Sequence, residues 1–129
     1  MPHKKIFQTD AAPAAVGPYS QAVESQGFLF ISGQIPINPK TNELIPSAAI
    51  EDQTLQVLTN VKSLLVARGL TLAHLVKTTI FLKNMSDFPT VNRIYATFFT
   101  ESPPARACVE VSRLPKDVLI EIEGIATLV

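Results

Sequence analysis

Apolar positions along this 129-residue chain recur with two periods, and the changes between them mark out the elements. Ile50, Val57, Leu58, Val61, Leu64 and Leu65 follow helical spacing, and Gly69 sits where a left-handed C-terminal cap belongs. Ser47 is the candidate N-cap of this helix, with Glu51 and Asp52 in the first turn, where negative charge opposes the helix dipole favourably. A second helix begins at Ser86 or Asp87, takes Pro89 in its first turn, and carries the stripe Phe88, Val91, Ile94, Tyr95, Phe98 and Phe99. Asn92 lies at the edge of that stripe.

Elsewhere the period is two. Ile6–Phe7 predicts a short edge strand, and 19–24 and 28–32 predict a hairpin around Ser25-Gln26-Gly27, stopped by Gly33 and broken by Pro36 and Pro39. Residues 10–18 read as an irregular loop, and 39–43 as a further turn. Val76, Thr78, Ile80 and Leu82 alternate with Lys77, Thr79, Phe81 and Lys83, which predicts another strand.

The last strands carry the chain's most unusual pattern. Arg106, Cys108, Glu110 and Ser112 alternate with Ala107, Val109 and Val111; after Leu114-Pro115-Lys116-Asp117, Leu119, Glu121 and Glu123 alternate with Val118, Ile120 and Ile122. A hairpin that matches the two apolar faces sets Cys108 opposite Glu121 and Arg106 opposite Glu123, with Glu121 on the diagonal. The same pattern fits two readings. One is a solvent-facing sheet surface with cross-strand ion pairs. The other is an anion site, since an arginine fork suits bidentate capture of a carboxylate and a nearby glutamate can orient a water or move a proton.

The element order is α+β, and two helices cover only one face of such a sheet. The other face carries apolar positions of its own, which points to an oligomer. Length and the 47% apolar fraction suit a single domain spanning residues 1–129. The single cysteine, the absence of an apolar leader and the lack of any long apolar run predict a cytoplasmic protein with no membrane partner. Eleven basic and eleven acidic residues are scattered and balanced, which disfavours nucleic acid as a partner. His3 and His74 stand far apart without ligand-spaced neighbours, so no metal site is expected; His3 reads as part of a frayed terminus and His74 as an ordinary surface residue.

Gly17-Pro18-Tyr19-Ser20-Gln21-Ala22, Ser32-Gly33-Gln34-Ile35-Pro36, Val76-Lys77-Thr78-Thr79, Asp87-Phe88 with Val91-Asn92, and above all Pro104-Ala105-Arg106 with Leu114-Pro115 and Ile120-Glu121-Ile122-Glu123 resemble the reactive intermediate (enamine/imine) deaminase, or Rid, family over the full length. The resemblance implies a mixed sheet with two helices on one face, similar to the trimeric bacterial type of chorismate mutase. It further implies a homotrimer with a central barrel-like core and clefts between subunits. The implied activity is hydrolysis of 2-iminobutanoate and 2-iminopropanoate to 2-oxo acids and ammonia, without a cofactor, protecting against intermediates released by pyridoxal-phosphate enzymes.

By the same resemblance Arg106 holds the substrate carboxylate, helped by the backbone N–H of Gly33. Glu121 and the backbone carbonyl of Cys108 position the water, Tyr19 and Asn92 line the cleft, and Ser32 borders it. The Cys108 thiol itself reads as a small strand hydrophobe. Pro103 stands where many members carry an aromatic residue, a departure that bears on the side chain preferred. The resemblance leaves two alternatives open: a translation inhibitor that cleaves single-stranded RNA, and a non-catalytic metabolite-binding or chaperone-like trimer.

Overall fold

In the computed structural model, which describes residues 2–129, eight strands and two α-helices follow one another as β1 (Lys5–Phe7), β2 (Ala22–Ser25), β3 (Phe28–Gln34), β4 (Ile37–Asn38), β5 (Glu43–Leu44), α1 (Ile50–Ala67), β6 (Leu75–Leu82), α2 (Phe88–Phe98), β7 (Ala105–Glu110) and β8 (Ile120–Thr127). Six strands form one mixed sheet in the order β1-β2-β3-β8-β6-β7, and β4 and β5 form a separate small hairpin. Only β6 and β7 run parallel, joined by α2.

Both helices pack on one face, as the periodicity predicts. Leu29, Ile31, Ile80, Leu82, Ile120 and Ile122 are buried beneath Val57, Leu58, Val61, Leu64 and Leu65 of α1 and Val91 of α2. The opposite face is bare: Phe28, Phe30 and Val109 are 40, 44 and 42% exposed. Gly69, at φ 82°, ends α1 as expected. Its N–H donates to the Val66 carbonyl at 2.9 Å and that of Leu70 to Leu65 at 2.8 Å, the two bonds of a Schellman cap. Arg68 then forks onto Glu24 of β2 at 2.5 and 3.0 Å, tying the helix end to the sheet.

Several sequence expectations are corrected. Ser47 is not the N-cap of α1; Ala49 is, and Ser47 instead accepts from the Ala49 N–H at 3.1 Å and donates to Asp52 at 2.6 Å, bracing the turn before the helix. Asp87 occupies the N-cap of α2 but makes no side-chain cap bond. Val76 does not share the face of Thr78, because a bulge between Leu75 and Lys77 resets the alternation. His74 is more than a surface residue: its Nδ1 accepts from the Thr71 N–H at 3.1 Å, closing a capping box on the 3₁₀ turn Leu72–His74.

The largest correction concerns the final hairpin. β7 and β8 are not paired, because β6 lies between them, parallel to β7 and antiparallel to β8. The connection wraps around the end of β6, with the Val111 N–H on the Leu82 carbonyl at 2.9 Å and the Lys83 N–H on the Leu119 carbonyl at 3.0 Å. A central strand flanked on both sides satisfies both rows of its backbone groups, which a free two-stranded ribbon cannot do.

Candidate functional site

The rearranged strand order separates the residues that the sequence reading had placed together. Arg106 aligns with Thr78 and, across β6, with Gly124; Glu121 aligns with Phe81 and Val109. Arg106 thus lies two strands over and three residues along from Glu121, on the order of 14 Å between Cα atoms by standard strand spacings. They also face opposite ways. The Arg106 guanidinium lies 5.3 Å from the Phe88 ring centre and 4.9 Å from that of Tyr95, both on α2. Glu121 stands between Ile120 and Ile122, which are buried under the helices, so its side chain leaves by the bare face. The expected pairing of Arg106 with Glu123 fails for the same reason.

Each residue therefore belongs to its own candidate half-site. On the helix side, at the β7 edge, Arg106 Nη1 donates to Asn92 Oδ1 at 2.8 Å, and the ring faces of Phe88 and Tyr95 support the cation. Among the described residues Arg106 has no carboxylate partner. Tyr95 is buried, sharing a 2.7 Å hydrogen bond with Thr78 Oγ1. Burial pushes its phenol pKa up, while the Thr78 bond and the Arg106 charge pull the other way. A cavity of about 420 Å³ opens beside Arg106, walled by Tyr95, Phe99, Pro103 and Pro104.

The edge backbone of β7 adds groups of its own. Alternating back from the Val111 N–H, which points inward to Leu82, residues 106, 108 and 110 turn their N–H and C=O groups to the open edge. The Cys108 carbonyl is thus presented outward. Its thiol instead packs against the core on the helix side, where burial raises its pKa and the Arg106 charge partly offsets that rise.

The second half-site is a cavity of about 620 Å³ on the bare side, which brings together Tyr19, Ser32, Gly33, Lys116, Glu121 and Glu123. Glu121 is half-buried here. Desolvation lifts its carboxyl pKa above the ordinary 4.5, and the neighbouring charge of Glu123 lifts it further. Gly33 makes the space, because a Cβ built on it would fall on the Glu121 carboxylate. The register shift between Ile31 and Gln34 sets this glycine out of the regular ladder. Ser32 does not aim its hydroxyl into the cavity as a free donor; Oγ donates to the Ser20 carbonyl at 2.6 Å. Ser32 acts on the wall, holding the Tyr19–Ser20 segment to β3.

Gln21 stands in a family motif, but the sequence reading gives it no role. It is buried, accepts from the Thr9 N–H at 2.7 Å, and donates to the carbonyls of Thr9, Ala12 and Pro13 at 2.9, 3.2 and 2.7 Å. One side chain thereby clamps the irregular loop that walls the cavity, and Asn42 fastens it again by accepting from the Ala14 N–H at 3.0 Å. Nothing in local spacing marks such a side chain, whose partners lie up to twelve residues away. Among the described residues, no group of three or more His, Cys, Asp or Glu side chains is placed to hold a metal ion. No helix among them is long and apolar enough to cross a membrane.

A profile of the endoribonuclease L-PSP family matches residues 9–128. A RutC family protein of Pyrococcus horikoshii is 56% identical over 123 residues, covering 95% of this chain and 97% of its own. A 2-iminobutanoate/2-iminopropanoate deaminase of Escherichia coli strain K12 is 53% identical over 125 residues, covering 95% and 96%. The crystal structure of Escherichia coli TdcF with bound serine superposes with a TM-score of 0.88 at 46% identity, covering 95% of this chain and 98% of that one.

Proposed function

This chain belongs to the endoribonuclease L-PSP, or Rid, family, and from that premise we propose that it hydrolyses short 2-imino acids such as 2-iminobutanoate and 2-iminopropanoate to 2-oxo acids and ammonia. The observation that carries the reading is the pair of unlike half-sites. One holds a supported, carboxylate-free arginine fork, the other a half-buried glutamate with a raised pKa. A 2-imino acid needs both. Its carboxylate fits the Arg106 fork, which Asn92 and the two rings hold in place. Its C=N carbon needs a water with a base beside it, and a glutamate lifted toward neutrality is the better base.

In the step itself water adds its oxygen to C2 while Glu121 takes a proton from it. The C=N π bond opens as Glu121 passes that proton to the nitrogen. The resulting carbinolamine collapses when Glu121 takes the hydroxyl proton and relays it to the amine, C=O forming as the C–N bond breaks and ammonia leaves. The Cys108 carbonyl at the β7 edge supplies an acceptor for the same water, and the Gly33 N–H a donor for the carboxylate. The imine is intrinsically reactive toward water, so orientation supplies much of what is required.

Since Arg106 and Glu121 face opposite sides of one sheet, no single copy can close on a small substrate. We infer a homotrimer in which the bare faces meet and the β7 edge of one subunit completes the Glu121 cavity of the next. The exposed Phe28, Phe30 and Val109 are the surface such an assembly would bury. The serine bound by the TdcF relative carries nitrogen on the carbon next to a carboxylate, the arrangement an imino acid shares.

The family's description names an endoribonuclease, but the eleven basic and eleven acidic residues are balanced and scattered, with no basic stripe to hold a phosphate backbone. The deciding assay generates both imines in situ with an amino-acid deaminating enzyme and follows their decay with and without this protein. Acceleration supports the reading. Decay at the uncatalysed rate, beside cleavage of a single-stranded RNA that Arg106→Ala abolishes, overturns it in favour of the nuclease.

A further inference from the structure

Lys116 and Asp117, in the connection between β7 and β8, both take the left-handed backbone, with φ of 56° and 57°. Side chains with a Cβ rarely adopt it, and residues held there concentrate at functional sites. The place of Asp117 has a local explanation. Its carboxylate receives the Arg113 fork at 2.6 and 3.1 Å, its N–H donates to the Leu114 carbonyl at 3.0 Å, and the buried Leu114 and Val118 anchor the turn on either side.

Lys116 has no such explanation. It is exposed, and among the described residues its side chain makes no hydrogen bond or ion pair. A glycine would adopt the same φ without strain. What the turn does is set Lys116 on the wall of the cavity that holds Glu121 and Glu123, where among the described residues it is the only basic side chain.

We propose that Lys116 is a positioning residue, the countercharge that lets a 2-imino or 2-oxo carboxylate enter a cavity already carrying two glutamates. The inference rests on reading that cavity as the substrate cleft. An incoming anion meets repulsion from both carboxylates. An ammonium is a compact, strongly hydrated point charge, able to offset that repulsion without the bidentate hold that the Arg106 fork supplies. Lys116 therefore attracts and admits the substrate, while Arg106 fixes it. Its loss weakens binding by a charge effect that salt screens.

The experiment uses the assembled protein and 2-oxobutanoate as the probe, with binding measured by calorimetry at low salt and at about 1 M, where the Debye length is about 3 Å. Lys116→Gly removes the charge and relieves the backbone, so its melting temperature should match or exceed wild type. Lys116→Arg keeps the charge. At low salt Lys116→Gly should bind about three- to tenfold more weakly, as expected for one charge acting across a partly wet cleft, with Lys116→Arg close to wild type. At high salt the gap should close. In the imine assay the loss should fall on KM rather than kcat.

Lys116→Gly binding as wild type does at low salt overturns the proposal, as does a deficit that persists undiminished in high salt or that Lys116→Arg shares. If wild type binds with this dependence yet hydrolyses no imine, the deaminase reading fails and the role of Lys116 stands. If it binds no 2-oxo acid, both fall.

Discussion

The backbone of Gly33 and the carboxylate of Glu121 occupy one space, such that a Cβ at position 33 would overlap the carboxylate oxygen. Gly33→Ala must therefore either rotate the Glu121 side chain away or shift the bulged segment of β3. Both displace the proposed base from its water, and misplacement of about 1 Å can reduce a rate on the order of a hundredfold. The expected outcome is a folded, assembled protein with imine hydrolysis down at least tenfold. Circular dichroism and sedimentation beside the coupled assay check it; full turnover by Gly33→Ala would remove Glu121 from the chemistry.

Glu121 also sets a pH dependence of known sign. Its folded pKa lies above the ordinary 4.5, so the native state holds that proton more tightly than the unfolded chain does. Stability from this group is therefore lost as pH rises from the ordinary value through the raised one. Well below pH 4.5 both states are protonated and the penalty vanishes. Glu121→Gln should raise the melting temperature at neutral pH and leave it unchanged in acid. The rate should climb with pH along a limb above 4.5, and Glu123→Gln should move that limb downward, because Glu123 is the second cause of the rise. A limb that stays in place in Glu123→Gln would detach the base from this pair.

How much of this was legible in the sequence depended on the range of the contacts. Helix α1 and its cap at Gly69 were legible because their signals lie within one turn of the residues they govern. Two helices on one face of a sheet, and a bare second face, followed from the same periodicities. Strand partners did not. Alternation around Arg106 and around Glu121 shows which residues share a side, but not that β6 comes between the two strands. Nor could it orient β7, whose two faces offer Arg106 and Cys108 on one side and Ala107 and Val109 on the other. The rings of Phe88 and Tyr95 decide that choice, since they accept the guanidinium on the helix side. The family's motifs picked out residues that the structure divides between two cavities, while the hairpin drawn through them was wrong.

Arg106→Lys is expected to fail although it keeps the charge. A lysine cannot reproduce the planar two-bond fork, and its ammonium sits poorly across the Phe88 and Tyr95 faces that the guanidinium covers. Loss of one charge-assisted hydrogen bond, worth about 1.5–3 kcal/mol, should lower kcat/KM at least roughly tenfold. Glu121→Gln should instead depress turnover while 2-oxobutanoate binding largely survives. Calorimetry and the imine assay run on both variants separate the roles. Wild-type binding by Arg106→Lys would return this arginine to a plain surface role.

The placement of the two half-sites on opposite faces makes a stronger demand than either variant alone. If each active cleft takes Arg106 from one subunit and Glu121 from its neighbour, two inactive proteins can repair each other. Arg106→Ala subunits still carry Glu121, and Glu121→Gln subunits still carry Arg106. Unfolded together in equal amounts and refolded, they should assemble into mixed trimers in which about a quarter of the clefts draw both intact residues, one from each neighbour. Activity should return to roughly that fraction of wild type, whereas each variant refolded alone stays inactive. Sedimentation at micromolar concentration should show a trimer in every case. A monomer, or a mixture no more active than its parts, would mean that the Arg106 fork and the Glu121 cavity never meet on one substrate. The division of labour proposed for them would then be abandoned.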